Sequence, residues 1–110
     1  MWYIVNMRTL YHPERASMTL SNVCNALSDP IRLQIVRALA ITKESETACG
    51  VFGAYTPKST MSHHFKVLRE AGITYTRVDG LHRWVSLRYA DLEARFPGLI
   101  DVVLRATSPL

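Results

Sequence analysis

The sequence has few of the features that mark secreted, membrane or catalytic proteins. Its two cysteines, Cys24 and Cys49, occur without a secretion signal, which favours a reducing compartment and predicts a cytoplasmic protein. The apolar run at residues 1–5 is too short for a signal-peptide core or a membrane span, so we expect no membrane partner. No phosphate-binding glycine loop, nucleophile elbow or metalloprotease motif is present. We therefore expect neither an enzyme nor a cofactor.

The length of 110 residues predicts one domain, because no repeat, low-complexity tract or long linker divides the chain. Hydrophobic residues make up 48% of the sequence, a large supply for so small a domain. A small monomer buries only part of its apolar surface. This composition therefore favours an oligomer whose interface extends the core.

Positive charge is concentrated in the middle of the chain. The net charge is +4, and residues 58–88 hold six Lys or Arg against two acidic residues, whereas the flanking segments nearly balance. A local basic surface attracts polyanions, with counterion release as the driving force. The alternative is a solvated charged face.

Two helices are indicated before residue 41. Ser17 is predicted to cap the first, whose apolar residues at helical spacing are Leu20, Val23, Cys24 and Leu27. Cys24 is therefore expected to pack in the core. Asp29-Pro30 is a strong start signal for the second helix, which covers 31–40 and is apolar around much of its circumference.

A helix-turn-helix follows. A short helix is predicted at 47–53 and a longer one at 57–71, joined by a turn at 54–56. Thr56 is the expected N-cap, Pro57 fits the first helical position, and Gly72 fits the C′ position, where φ is positive. These signals make 57–71 the best-marked helix in the sequence.

After Gly72 the pattern becomes extended. Residues 73–78 are rich in β-branched and aromatic side chains, Asp79-Gly80 signals a hairpin, and 84–87 are predicted to form the returning strand. A helix over about 89–106 ends the domain, with a kink or restart at Pro97-Gly98. The predicted fold is mainly α with a β-hairpin: a winged helix-turn-helix at 17–110, with the wing at 73–88, preceded by an N-terminal arm at 1–16.

The predicted helix 57–71 has two different sides. Met61, Phe65 and Leu68 share one side, which we expect to face the core. Hydrogen-bonding and cationic residues share the other, as in helices that read the major groove. The candidates for base contacts are Ser59, Ser62 and His63, and those for phosphate contacts are Lys58, Thr60 and Lys66. The alternative is an ordinary amphipathic helix with a solvated face.

The hairpin supplies a second set of candidates. Arg77, His82 and Arg83 flank its turn and are predicted to contact the DNA backbone or minor groove, whereas Asp79 serves the turn. The hairpin can also cover the core through Trp84 and Leu87. His64 lies on the flank of the apolar side of its helix, which favours a buried structural role.

Two stretches carry a family resemblance. The segments at 26–33 and 58–72 resemble the ArsR/SmtB family of bacterial repressors. The resemblance implies a homodimer joined through its N- and C-terminal helices, binding a palindromic operator in double-stranded DNA until a signal, such as a small-molecule effector, releases it. It also makes the first six residues look like an upstream extension. The residues expected at the dimer interface are Leu92, Phe96, Leu99, Ile100 and Val103; a monomer core would explain the same stripe.

The sequence departs from the metal-sensing members of the family. Those members resemble one another in a Cys-x-Cys-Asp motif, whereas the corresponding segment here, 47–52, contains one cysteine. We therefore expect no metal site. Cys49 could act instead as a thiol switch, alone or with Cys24. Three alternatives therefore stay open: a redox-responsive repressor, a metal-responsive one, and a winged-helix interaction module that does not bind DNA.

Overall fold

The computed structural model describes residues 10–42, 46–53 and 57–110. The predicted turn at 54–56, its cap Thr56 and the first six residues lie outside them. Within the described residues, short 3-10 helices cover Arg15–Ser17 and Cys49–Gly53. The helices are α1 (Leu20–Leu27), α2 (Pro30–Thr42), α3 (Lys58–Glu70), α4 (Tyr89–Arg95) and α5 (Leu99–Arg105), and the strands are β1 (Thr47–Ala48), β2 (Thr74–Asp79) and β3 (His82–Leu87). The fold is mainly helical with an antiparallel hairpin, as predicted for a winged helix-turn-helix.

The sheet has three strands in the order β1-β3-β2, all antiparallel. The prediction of one short helix at 47–53 was wrong in its first part, because Thr47 and Ala48 pair with β3 before the 3-10 helix begins. The predicted turn was also one residue early. Asp79 pairs with His82, so the two-residue loop is Gly80-Leu81, and Gly80 has the positive φ of +62° that such turns favour.

Capping defines the first two helices. Asp29 caps α2 as predicted, because its Oδ1 accepts hydrogen bonds from the backbone N–H groups of Ile31 (2.8 Å) and Arg32 (3.1 Å). The predicted cap of α1 was wrong: the side chain of Thr19, not Ser17, accepts the N–H of Asn22 (3.2 Å). Val23 and Ala26 are the buried residues of this helix.

The core lies between the helices and one face of the sheet. Met61, Phe65 and Leu68 are buried there, which confirms the predicted inner side of α3. Cys24 is exposed instead of packed, and Leu20 is 53% exposed, so α1 presents two apolar side chains one turn apart to solvent. The remaining buried core includes Val36, Leu39, Ile73, Val85, Leu92 and Ile100.

Gly72 ends α3 with a Schellman motif. The Ile73 N–H donates to the Leu68 carbonyl and the Gly72 N–H to the Arg69 carbonyl, both at 3.0 Å. The φ of Gly72 is +88°, as predicted, and a Cβ there would lie 2.6 Å from Cγ of Met18. Met18 is 2% exposed and has little room to move. Glycine is therefore required both for the backbone turn and for the close approach.

The C-terminal segment forms two helices, α4 and α5, separated at Pro97-Gly98. Their apolar side chains turn inward: Leu92, Ile100 and Val103 are 0%, 1% and 5% exposed. These three residues, which were expected at a dimer interface, are covered within the subunit, as the alternative of a monomer core predicts. Phe96 and Leu99 are half-buried against the same core, so the stripe serves mainly the subunit interior.

The described part of the N-terminal segment is held against the domain. The Thr76 N–H of edge strand β2 donates to Nε2 of His12 (3.0 Å), and the His12 ring stacks on Tyr75 at a centroid distance of 4.3 Å. Arginines bind neighbouring carbonyls: Arg88 donates to Pro13 (2.7 Å) and Arg69 to Tyr11 (3.2 Å). The segment thereby covers an otherwise open sheet edge.

None of the helices in the described residues has the length and hydropathy that a bilayer crossing requires.

Substituting Gly72 tests the junction between α3 and the sheet. We expect Gly72→Ala to lower the free energy of unfolding by about 2–4 kcal/mol, because it adds backbone strain and a clash with buried Met18. Gly98→Ala is the matched control, since its φ is +87° but nothing lies within 4 Å of the added Cβ. It should cost about 1 kcal/mol. Urea unfolding measures both; equal losses would contradict the role of Met18.

The histidine at the sheet edge predicts a pH dependence of stability. Burial lowers the pKa of His12, a hydrogen bond with the Leu10 backbone opposes the shift, and the charges of Arg69 and Arg88 add to it. The unfolded state therefore binds the proton first, and stability is lost as pH falls from about 6.5 through the folded-state pKa. His12→Gln keeps an acceptor that does not titrate. Its free energy of unfolding should fall less than that of the wild type between pH 7.5 and 5; parallel curves would contradict this assignment.

Candidate nucleic-acid interface

The outer side of α3 is polar and open to solvent. The buried side chains of Met61, Phe65 and Leu68 fix the rotation of the helix about its axis, so residues opposite them must face outward. The predicted contact residues that are exposed there are Ser59, Thr60, Ser62, His63 and Lys66. Lys58, the remaining candidate on this helix, is its first residue. One helix face thus carries hydroxyl, imidazole and ammonium groups with access to a ligand.

The two adjacent histidines of α3 have different surroundings. His63 is exposed, whereas His64 is 6% exposed, and its Nδ1 lies 3.2 Å from Nη1 of Arg32 and 4.0 Å from Oδ1 of Asp29. A hydrogen bond from the Arg32 backbone lowers the pKa of the Asp29 carboxyl, helped by that of Ile31 and by the nearby charges. Asp29 and Arg32 thus link the start of α2 to α3. The predicted structural position of His64 is confirmed.

Arg83 is the cation of the wing that faces α3. Side chains alternate along β3, so Arg83 lies on the same face as buried Val85 and Leu87. It is exposed and has no ion-pair or hydrogen-bond partner among the described residues. His82, the preceding residue, is exposed at the tip. The wing therefore brings beside α3 a positive charge that no described residue pairs with.

Arg77 differs from Arg83 because its charge is offset. Its Nε and Nη2 donate to the two carboxylate oxygens of Glu46, both at 2.9 Å, and Asp79 lies 3.8 Å away. This hydrogen bonding lowers the pKa of Glu46. The guanidinium also lies 5.9 Å from the ring of Trp84. The pairing joins residues 31 positions apart, and the residues next to Arg77 in the chain carry no signal of it.

Arg69 is a basic residue that the sequence reasoning did not single out. It lies near the end of α3 on the side facing the wing, close enough to Arg83 for the two charges to interact. Burial lowers the pKa of Arg69; the charge of Glu70 opposes this and that of Arg83 adds to it. Its position one turn after Phe65, at the edge of the apolar side, is the signal that could have identified it.

Cys49 begins the 3-10 helix and is half-buried. Burial raises the pKa of its thiol, although the charge of Arg83 acts in the opposite direction. A raised pKa disfavours the thiolate, the reactive form. Across 10–42, 46–53 and 57–110, no three His, Cys, Asp or Glu side chains converge as metal ligands would.

Comparison with known proteins agrees with this geometry. Residues 29–75, which run from the cap of α2 into β2, match the sequence model of the family described as "Bacterial regulatory protein, arsR family". The chain is also 40% identical over 85 residues to the uncharacterized HTH-type transcriptional regulator YceK of Bacillus subtilis (strain 168), a match that covers 76% of this chain and 84% of the relative. The chain is therefore a member of the ArsR family of DNA-binding transcriptional regulators.

Proposed function

We propose that this regulator is a homodimeric repressor that reads a palindromic operator through the outer side of α3 and through the wing. The observation that carries the proposal is the juxtaposition of an exposed polar helix face with the exposed charge of Arg83, which has no ion-pair partner in the part of the chain that the structure describes. Polar side chains near the start of such a helix reach base edges, while cations beside it hold phosphates. The repressor role itself rests on the family resemblance.

Within α3, the proposal divides the exposed residues by their chemistry. Ser59, Ser62 and His63 offer hydroxyl and imidazole groups that can exchange hydrogen bonds with base edges in the major groove. Thr60 and Lys66, together with Lys58, are assigned to phosphates, which position the protein without reading sequence. All of these residues except Lys66 lie in the first two turns of α3, and the helix dipole favours anions at the first turn.

Within the wing, the proposal gives Arg83 and His82 the main DNA contacts. Both are exposed, and the side chain of Arg83 lies on the face of the sheet that is turned toward α3. Arg77 would have to give up its two hydrogen bonds to Glu46 before it could bind a phosphate. We therefore expect Arg77 to contribute less to DNA affinity than Arg83.

The dimer surface proposed here differs from the one the sequence suggested. Leu92, Ile100 and Val103 are covered within the subunit, so they cannot also cover a partner. Exposed apolar side chains remain at Leu20 and Cys24 of α1 and at Val102 of α5, which is 65% exposed. Such side chains on the N- and C-terminal helices support dimerisation through these elements.

DNA titrations at several salt concentrations test the proposed contacts. We expect affinity for duplex DNA to fall steeply as salt rises. Arg83→Ala should weaken binding to all DNA sequences similarly. It should also reduce the slope of log K against log salt concentration by about 0.9 for each phosphate that the variant no longer neutralises. Arg77→Ala, the matched control in the same hairpin, should change the slope less. Fluorescence anisotropy with a selected operator and a scrambled duplex measures both effects.

His63→Ala should change sequence preference. We expect it to cost about 1–3 kcal/mol on the operator and much less on the scrambled duplex, because a base contact discriminates and a phosphate contact does not. A protein with no measurable duplex affinity at low salt would contradict the proposed function and favour the interaction module. Equal losses on both duplexes would remove His63 from the base contacts.

The proposed dimer predicts a concentration-dependent mass. Sedimentation of the wild type should give twice the chain mass at micromolar concentration, and Leu20→Glu should shift the equilibrium toward the monomer, because it buries a charge in an apolar interface. Leu81→Glu is the control, since Leu81 is 100% exposed at the wing tip. A Leu20→Glu protein that dimerises as the wild type does would contradict this surface.

A further inference from the structure

A cavity lies between α3 and the wing. Its volume is about 820 Å³, and the sheet and the segment at Ala48 and Cys49 complete its wall. Met61, Phe65 and Arg69 line it from α3, Thr76 from β2, and His82 and Arg83 from β3. The cavity therefore borders His82 and Arg83, the wing residues that the proposed function assigns to DNA, and of the α3 residues assigned to DNA it includes Ser62.

The charge of the lining is positive. Arg69 and Arg83 both face the cavity, and no carboxylate belongs to its lining among the described residues. The hydrogen bond from Arg69 to Tyr11 uses Nε, and the two terminal nitrogens of that guanidinium have no hydrogen bond within residues 10–42, 46–53 and 57–110. Arg83 has no partner within the described part of the chain. Two guanidinium groups that line one cavity, with no carboxylate in its lining among the described residues, are suited to bind an anion.

A buried hydroxyl lies in the same wall. Thr76 is 5% exposed, and its Oγ1 has no hydrogen-bond partner among the described residues. The backbone N–H of Thr76 is bonded to His12. Its Oγ1 is covered by protein, as is Oγ1 of Thr74 outside the lining, so the arginines and not this hydroxyl define the site for a ligand.

The remaining wall contains polar side chains, Ser62 and His82, and an apolar part. Met61 and Phe65 contribute buried side chains, and Leu81 lies at the tip of the hairpin. An inorganic ion would satisfy the arginines but leave this surface uncovered. Small-molecule sites typically combine such an apolar lining with a few convergent polar groups. The lining therefore fits a carboxylate on an aromatic or aliphatic body.

We propose that this cavity binds a small organic carboxylate between Arg69 and Arg83, and that the ligand weakens DNA binding by occupying Arg83. The second clause rests on the proposed function, because it assumes that Arg83 holds a DNA phosphate. A ligand that neutralises this guanidinium removes one counterion-releasing interaction. By linkage, DNA weakens ligand binding by the same factor.

Sodium benzoate is the probe for this site. In DNA-free, ¹⁵N-labelled protein at constant ionic strength, we expect backbone signals of Phe65, Thr76 and Arg83 to shift and saturate at roughly 1–10 mM, as suits so small a ligand. Benzamide has the same shape without the charge and should give no saturable shift. Arg83→Gln should weaken benzoate binding about tenfold. Arg105→Gln, the same change on the distant α5, should leave benzoate binding unchanged.

DNA binding is then measured with and without benzoate. Operator affinity should fall by a factor of up to 1 + [benzoate]/Kd, where Kd is the dissociation constant of benzoate. Benzamide should have no effect. No saturable benzoate response, an equal response to benzamide, or equal binding of inorganic phosphate would overturn the site. Benzoate binding that leaves operator affinity unchanged would overturn the competition. A protein that binds DNA but not benzoate loses only this inference, whereas one that binds benzoate but not DNA loses the proposed function.

Discussion

The rotation of α3 about its axis is the constraint on which the rest of the structure depends. Met61, Phe65 and Leu68 are buried on one side, and a rotation by one residue, about 100°, would expose them and bury Ser62 and Lys66. Burial of three apolar side chains therefore sets which groups reach solvent. Gly72 then turns the chain directly into β2, so that the wing lies beside the exposed side of α3.

The wing combines three tasks in few residues. Val85 and Leu87 cover the core, Arg83 places an exposed charge beside α3, and Thr76 of the neighbouring strand is held by His12. A ligand in the cavity beneath would touch the same arginine that we assign to DNA. In this account no large conformational change is needed to couple the two events, because one guanidinium cannot serve two anions at full strength.

Local signals in the sequence were sufficient for much of this fold. Asp29-Pro30 and Gly72 act through hydrogen bonds within a few residues, and the two sides of α3 follow from helical spacing alone. The two-residue strand at Thr47 could not be predicted, because it exists only through its pairing with Val85. Spacing also identified an apolar stripe in α4 and α5 without indicating what covers it. Likewise, the partner of Arg77 lies 31 residues away, at Glu46.

The most direct test of this account is a chemical-shift map of the protein on a duplex that it selects from random sequences. We predict that backbone signals of Ser59, Ser62 and His63 in α3 and of His82 and Arg83 in the wing change most, while those of the buried α4 residue Leu92 change little. Changes confined to α1 and α5, with α3 unaffected, would show that DNA binds elsewhere and would contradict the account.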